Sequence, residues 1–432
     1  MRELKDSGIE WIGDMPSYWV RTTLLNNLRK KISDGPHETP NVLEVGIPFI
    51  SVDSLNDSEH VDLSCVKKFI SEEDYREYSK KTVIEPGDIL FSKAATIGKT
   101  AIVKDEKFMV WSPLAIIKVD GRKCCNKYIY YILNCPGFIR CVSFMGSINT
   151  QINVGMRELE KGPIPVPPLP EQQRIADFLD RKCADIDDVL EKTRASIDEY
   201  KKLKQSVITE AVTKGIRGEK PMKDSGSAWF GKIPASWDAN KLKYTFTIRK
   251  RIVGEDGNTV LAITQKGVKP KDMSNGNGQF AESYANYQIV HPGDFAMNHM
   301  DLLTGWVDIS KYEGVTSPDY RVFTLDDTTR NCPGYYLYMM QMCYSNRIFY
   351  SMGQGVSGMG RWRLPADMFN NFIIACPPFE EQQEIAEYLD KKCSEIDSLI
   401  ASKEKFITEL ESYKKSLIYE YVTGKKEVPS NA

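Results

Sequence analysis

The chain has 432 residues, 41% of them hydrophobic and 27% charged, with a formal net charge of -2. That length and balance exclude both a disordered chain and a single small module, and favour two units that can each bury a core. The charge carries no bulk signal for nucleic acid, although an acidic element can mask basic faces in the total.

The opening segment, KDSGIEWIGDMPSYW from Lys5 to Trp19, lacks the apolar core of a secretory signal. Nowhere does an apolar run approach the roughly 20 residues of a membrane helix, so a cytoplasmic protein is expected. Trp11 and Trp19 stand in irregular chain. They predict docking onto their own domain or onto a helix end, with a partner contact as the other reading. After a helix or strand over 23–31, ISDGPHETP from Ile32 to Pro40 has the composition of a loop. GIPFISV (46–52), KTVIEPGDILFS (81–92), TAIV (100–103) and KFMVWSPLAIIKV (107–119) predict strands. Short helices are predicted over 72–80 and 126–133, which makes this a mixed α/β unit.

A long stretch free of Pro and Gly follows from Glu171 to Thr213, opening EQQRIADFLDRKCADID. Pro165, Pro167, Pro168 and Pro170 end the preceding segment before it. Ile175, Leu179, Cys183, Ile186, Leu190, Ile197, Val207, Ile208 and Ala211 recur at three- and four-residue steps among charges. That is the apolar seam of a helix that pairs with another helix. At about 1.5 Å per residue, some forty residues make a rod of roughly 60 Å.

The second half repeats the first. KDSGSAWFGKIPASW from Lys223 to Trp237 matches the opening, IVHPGDFAM (289–297) matches VIEPGDILF (83–91), and GYYLYMMQMCYSNR (334–347) matches KYIYYILNCPGFIR (127–140). EQQEIAEYLDKKCSEID then opens a second long helix at Glu381. Its predicted seam is Ile385, Leu389, Cys393, Ile396, Leu399, Ile400, Phe406, Leu410, Tyr413 and Leu417. The expected fold is α/β: two tandem mixed α/β domains separated by two long helices that pair as an antiparallel coiled coil, with an internal pseudo-two-fold repeat. Its divisions are 1–165, a helix over 166–215, 216–377, a second helix over 378–425, and a flexible tail over 426–432.

Signals for chemistry are weak. Gly353, Gly355 and Gly358 form a GxGxxG string without the strand-turn-helix context of a dinucleotide site, and no Walker A string is present. The ten cysteines include no CxxC pair, and no cluster has metal spacing, so neither catalysis nor a metal site is expected. Basic residues among polar ones are more suggestive. Lys30 and Lys31 precede Asp34, Gly35, His37 and Thr39, while Lys93 and Lys99 flank AATIG. In the second half stand Arg249 and Lys250, then Gln265, Lys266 and Lys269, then Arg361 and Arg363. Such groups suit phosphate contact and groove readout, and each alone also suits a solvated surface.

PPLPEQQRIADFLD (167–180) and PPFEEQQEIAEYLD (377–390), each followed by a C[AS][DE]ID stretch, together with GIEWIGDMPSYW, ISDGPHETP, GIPFISV, the two PGD turns and ITQKG, resemble the sequence-specificity subunit of type I restriction-modification systems. The resemblance covers essentially the whole chain. It implies two target recognition domains, each reading half of an asymmetric, interrupted double-stranded DNA target, with helices that set the spacing and seat two methyltransferase subunits. It further implies that adenine-N6 methylation with S-adenosylmethionine, and restriction with ATP and Mg by a nuclease-translocase subunit, belong to those partners. This chain would be non-catalytic and bind no cofactor. Lys93, Lys99, the Ile32 to Pro40 loop and Ile263 to Lys269 match DNA-facing segments. A structural adaptor bracing two protein-binding domains is the alternative.

Overall fold

The computed structural model describes residues 2–38, 40–56, 58–145, 153–272, 282–355 and 362–429. Four helices organise it: α1 (Asn126–Leu133), α2 (Leu169–Lys214), α3 (Pro333–Ser345) and α4 (Phe379–Val422). Both long helices stop at a left-handed glycine, Gly215 with φ 80° and Gly424 with φ 73°, a conformation other residues adopt at a cost.

The chain divides into two compact units, Met1–Thr193 with Lys405–Ala432 and Arg194–Glu404, so each unit takes part of both long helices. In unit 1 the seam residues Ile175, Leu179, Cys183, Ile186 and Leu190 pack in one core with Leu410, Leu417 and Ile418. In unit 2, Val207, Ile208 and Ala211 share a core with Ile385 and Leu389. Ile197, Cys393 and Ile396 are buried and Ile400 is half-buried. Charges register the antiparallel pairing at repeat-related positions. Lys414 Nζ lies 2.6 Å from Asp187 Oδ1 in unit 1, and Lys204 Nζ lies 2.7 Å from Asp397 Oδ2 in unit 2. The expected seam needs one correction. Leu399, Phe406 and Tyr413 are exposed, because the 3.5-residue step that runs through Ile396, Ile400 and Leu410 rotates them to the outside.

The doubled EQQ string anchors each helix to its own unit. Gln172 is fully buried. Its Oε1 accepts from the Cys125 amide at 2.8 Å, at the start of α1, and its Nε2 donates to the Pro167 carbonyl at 2.9 Å. Gln382 does the same with the Cys332 amide, at the start of α3, and the Pro377 carbonyl, both at 2.8 Å. The preceding carboxylates hold the tryptophan segments: Trp19 donates to Glu171 at 3.3 Å and Trp237 to Glu381 at 3.0 Å. Trp11, Trp19 and Trp237 are buried, whereas Trp229 is 45% exposed. At the far end, the Tyr128 hydroxyl stands 3.0 Å from the Val422 carbonyl and that of Tyr335 stands 3.2 Å from the Val212 carbonyl, meeting acceptors that the helix termini leave open.

Each unit carries a four-stranded antiparallel sheet of the same topology. In unit 1 the strands are β1 (Ser33–Asp34), β2 (Ile89–Ser92), β3 (Thr100–Ile102) and β4 (Leu114–Ile117), in the order β1-β4-β2-β3. In unit 2, β5 (Phe246–Arg249), β6 (Phe295–Met297), β7 (Val307–Ile309) and β8 (Arg321–Leu325) run in the order β5-β8-β6-β7. The PGD turns enter β2 and β6 by one device: the Asp88 carboxylate accepts from the Glu85 amide and that of Asp294 from the His291 amide, each at 2.8 Å. The stretch expected as one strand over 107–119 is two, since Met109–Val110 joins a separate sheet through a parallel pairing with Phe49 and Ile50.

Replacing Gln172 by Leu leaves the half-buried Cys125 amide unmet and removes the buried bond to the Pro167 carbonyl, at about 1–3 kcal/mol for each unsatisfied buried group. Urea denaturation is expected to show that loss for Gln172→Leu and a similar one for Gln382→Leu. Gln173→Leu, at an exposed position on the same helix, should lose only a few tenths of a kcal/mol.

Candidate nucleic-acid interface

Sheet register brings the candidate loops together. In unit 1, Asp34 pairs with Ala115 and Ser92 with Leu114, so the chain leaves β1 and β2 at the same end of the sheet. In unit 2, Arg249 pairs with Val322 and Met297 with Arg321, so Arg249, Lys250 and the connection from Asn298 to Trp306 emerge at the equivalent end.

Unit 1 builds that end tightly. Lys93 is 8% exposed, and its Nζ lies 2.6 Å from Asp34 Oδ2, so its charge is met inside the protein. The Asp34 carboxylate also faces the exposed His37, whose Nε2 lies 3.4 Å away, and the Asp34 backbone carbonyl accepts from Thr82 Oγ1 at 2.9 Å. Gly35 is there because a Cβ would sit 1.8 Å from the Val110 carbonyl oxygen. The connection 93–99 is folded around Ser92, whose Oγ accepts from the Lys99 amide at 2.8 Å, and Lys99 Nζ donates to the Leu55 carbonyl at 2.7 Å. Lys30 and Lys31 are exposed but precede β1, at the other end of that strand. Their neighbour Arg29 joins Lys118 on the PGD turn, contacting Glu85 at 3.2 Å and the buried Asp88 at 3.3 Å. Burial raises the Asp88 pKa, and the hydrogen bond from Lys118 opposes that rise. Of the unit 1 candidates, Asp34, Gly35, His37, Lys93 and Lys99 therefore converge. Thr39 lies outside the described residues.

Unit 2 presents more open charge. Leu261–Thr264 and Gly267–Pro270 form a hairpin with Gln265 and Lys266 at its turn, and Lys266 and Lys269 are exposed. Gln265 Nε2 reaches the Thr304 carbonyl at 3.4 Å, which ties this turn to the β6–β7 connection. That connection is ordered by Asp301, whose carboxylate accepts from the amides of Leu303 and Thr304 at 3.0 Å each, leaving Leu303 56% exposed at its tip. Gly305 is required, since a Cβ would lie 2.0 Å from the Asp301 carbonyl oxygen. Arg363 is exposed and joins the same end, because the next residue, Leu364, donates its amide to the His299 carbonyl at 2.9 Å. Arg249 is exposed with its Nε donating to Thr324 Oγ1 at 3.0 Å, and Lys250 is exposed beside it. Arg361 and the last glycine of the GxGxxG string, Gly358, lie outside the described residues.

Beneath this surface, Arg321 is buried against the Phe369 ring at 4.7 Å and donates Nη2 to the Leu364 carbonyl at 2.9 Å; burial lowers its pKa to about 10. Burial, and then the charges of Arg321 and Arg363, push His299 down to about 3, so its imidazole is neutral at physiological pH. The sequence reading missed the Asn298–Trp306 connection and Arg321. The signal for the first was its position after the second PGD strand, where unit 1 has the flagged Lys93 to Lys99 segment. Among the described residues no cluster could hold a metal ion, and no helix is long and apolar enough to cross a membrane.

The chain matches the family described as Type I restriction modification DNA specificity domain over residues 36–199 and 255–412. It is 25% identical over 438 residues to a Methanocaldococcus jannaschii protein named as the MjaX type I restriction enzyme specificity subunit, covering 96% of each chain. The MjaVIII specificity subunit of the same organism is 23% identical over 359 residues, 79% of this chain and 77% of the relative. A solved chain from a type I restriction-modification assembly superposes with a TM-score of 0.69 at 14% identity, over 95% of this chain and 99% of the other, which shows a shared fold. The repeated helices, the paired sheets and a family match spanning both units have one meaning: this chain belongs to the type I restriction-modification specificity subunits, the non-catalytic DNA-recognition members of their complexes.

Proposed function

We propose that each unit reads one half of an asymmetric, interrupted double-stranded DNA target with the loops at one end of its four-stranded sheet. The observation that carries this is the sheet register, which delivers differently built loops to the equivalent end of two sheets of identical topology. A shared scaffold with unlike loops suits reading two different half-sequences. In unit 2 the exposed Lys266, Lys269 and Arg363 meet phosphates, while Gln265 has the amide chemistry that pairs with adenine in the major groove. In unit 1, Lys93 positions Asp34 and the loop after it.

The outer faces of α2 and α4 then seat two methyltransferase subunits. On α4, the exposed Leu399, Phe406 and Tyr413 repeat at heptad spacing, and Val189 and Leu203 are exposed at the matching positions of α2. Those partners carry S-adenosylmethionine and methylate adenine at N6. A nuclease-translocase subunit using ATP and Mg completes restriction, in the cytoplasm.

Co-expression with the methyltransferase subunit in methylation-free cells, followed by mapping of modified adenines, tests the reading: one interrupted asymmetric sequence is expected, and its absence from a stable complex overturns it. Exchanging residues 1–165 or 220–375 should change one half-sequence each. Lys266→Ala should weaken binding to related and unrelated DNA alike and lower the salt slope of log K by about 0.9, whereas Lys93→Ala should instead lose about 1–3 kcal/mol of stability by removing the partner of the half-buried Asp34 carboxylate. Phe406→Ala with Tyr413→Ala should abolish co-purification of the methyltransferase subunit while leaving the thermal melting point of the chain within a degree or two of wild type; recruitment at wild-type level would remove these faces from that role.

A further inference from the structure

Repeat-related positions that differ in kind mark a surface of unit 2 whose counterpart in unit 1 is covered by the chain itself. In unit 1 the ring of Phe178, on α2, is covered by that of Tyr421, on α4, with centroids 4.6 Å apart and both side chains buried. The matching residues of unit 2 are Tyr388 on α4 and Ala211 on α2. Alanine has no ring to lay over Tyr388, which is only half-buried, and a groove of about 1040 Å³ lies there, lined in part by Val207, Ala211, Ile216, Met222, Phe230 and Tyr388. Its rim carries both signs of charge, with Lys214 and Lys232 beside Glu210 and Glu219, so the apolar floor rather than charge selects what can bind.

We propose that this groove docks an aromatic side chain presented on a loop of a partner protein, in one copy per chain. Unit 1 supplies the template, because the chain itself covers the equivalent ring there with a tyrosine. A ring laid on Tyr388 gains edge or offset contact with the aromatic and takes the half-buried Val207 and Ile216 and the exposed Met222 further from water, over a floor of Ala211 and Phe230 that is already buried. Since unit 1 is already filled, an internal repeat that otherwise offers like surfaces twice offers this one once. A partner using it would bind one end of a pseudo-symmetric subunit and distinguish the two units.

The test uses the full chain and N-acetyl-tyrosinamide as the probe, with N-acetyl-leucinamide as the control, read by saturation-transfer NMR. Transfer to the tyrosine amide is expected to exceed that to the leucine amide severalfold. Met222→Glu, at a position 39% exposed on the groove wall, places a charge in the groove without disturbing the core and should reduce the signal to the leucine level. Ala211→Tyr, which supplies the missing ring, should do the same. Equal transfer to the two amides in the wild-type chain overturns the proposal, and so does a tyrosine signal unchanged by Met222→Glu, whether or not Ala211→Tyr folds.

Discussion

A buried amide side chain at the head of each long helix joins three parts of its unit: the helix, the proline segment before it and the N-terminus of a second helix. Gln172 and Gln382 bond equivalent backbone groups at nearly equal distances, and both glutamine side chains are buried. An unmet amide at that depth is expensive, so the side chain and the three segments hold each other in one geometry. The neighbouring carboxylates extend the joint outward to Trp19 and Trp237. A string that is the strongest sequence signal in the chain is thus an anchoring device, distinct from the loops at the sheet ends.

With the helices anchored, the sheet of each unit is oriented relative to its own part of the helix pair, and variation is confined to what leaves the sheet end. Unit 1 closes that end around an internal lysine-aspartate pair and a glycine pressed onto a neighbouring backbone. Unit 2 extends it with a hairpin and an aspartate-ordered connection carrying an exposed leucine. The units are alike where they attach to the helices and unlike where a target would meet them. On the proposed reading, that division is what would let one chain carry two specificities on one architecture.

Much of this was legible in the sequence, and the exceptions have physical reasons. Periodicity alone located both long helices and most of the seam, because a stripe on a long helix has one solution. It overreached at Leu399, Phe406 and Tyr413, since apolar residues at heptad spacing can form a second stripe that faces outward. Strand composition found β2, β3 and β4, and the helix over 126–133 matches α1. Composition could not show that Lys93 points inward: a lysine beside small polar residues has the same local signature in either case, and its partner Asp34 is distant in sequence. Gln265 and Thr304 meet through the packing of a hairpin on a separate sheet, which no local pattern encodes.

The Asn298–Trp306 connection has a consequence for how recognition can change. Its backbone is held by the Asp301 carboxylate and by a glycine that admits no side chain, so little conformational freedom is left to lose on binding. The same tightness makes it intolerant of piecemeal revision, for an altered Asp301 or Gly305 would unmake the whole turn. On the reading proposed for this loop, new specificity is reached more readily by exchanging the entire segment between its flanking strands than by accumulating single substitutions, so relatives that read different sequences should differ here in blocks.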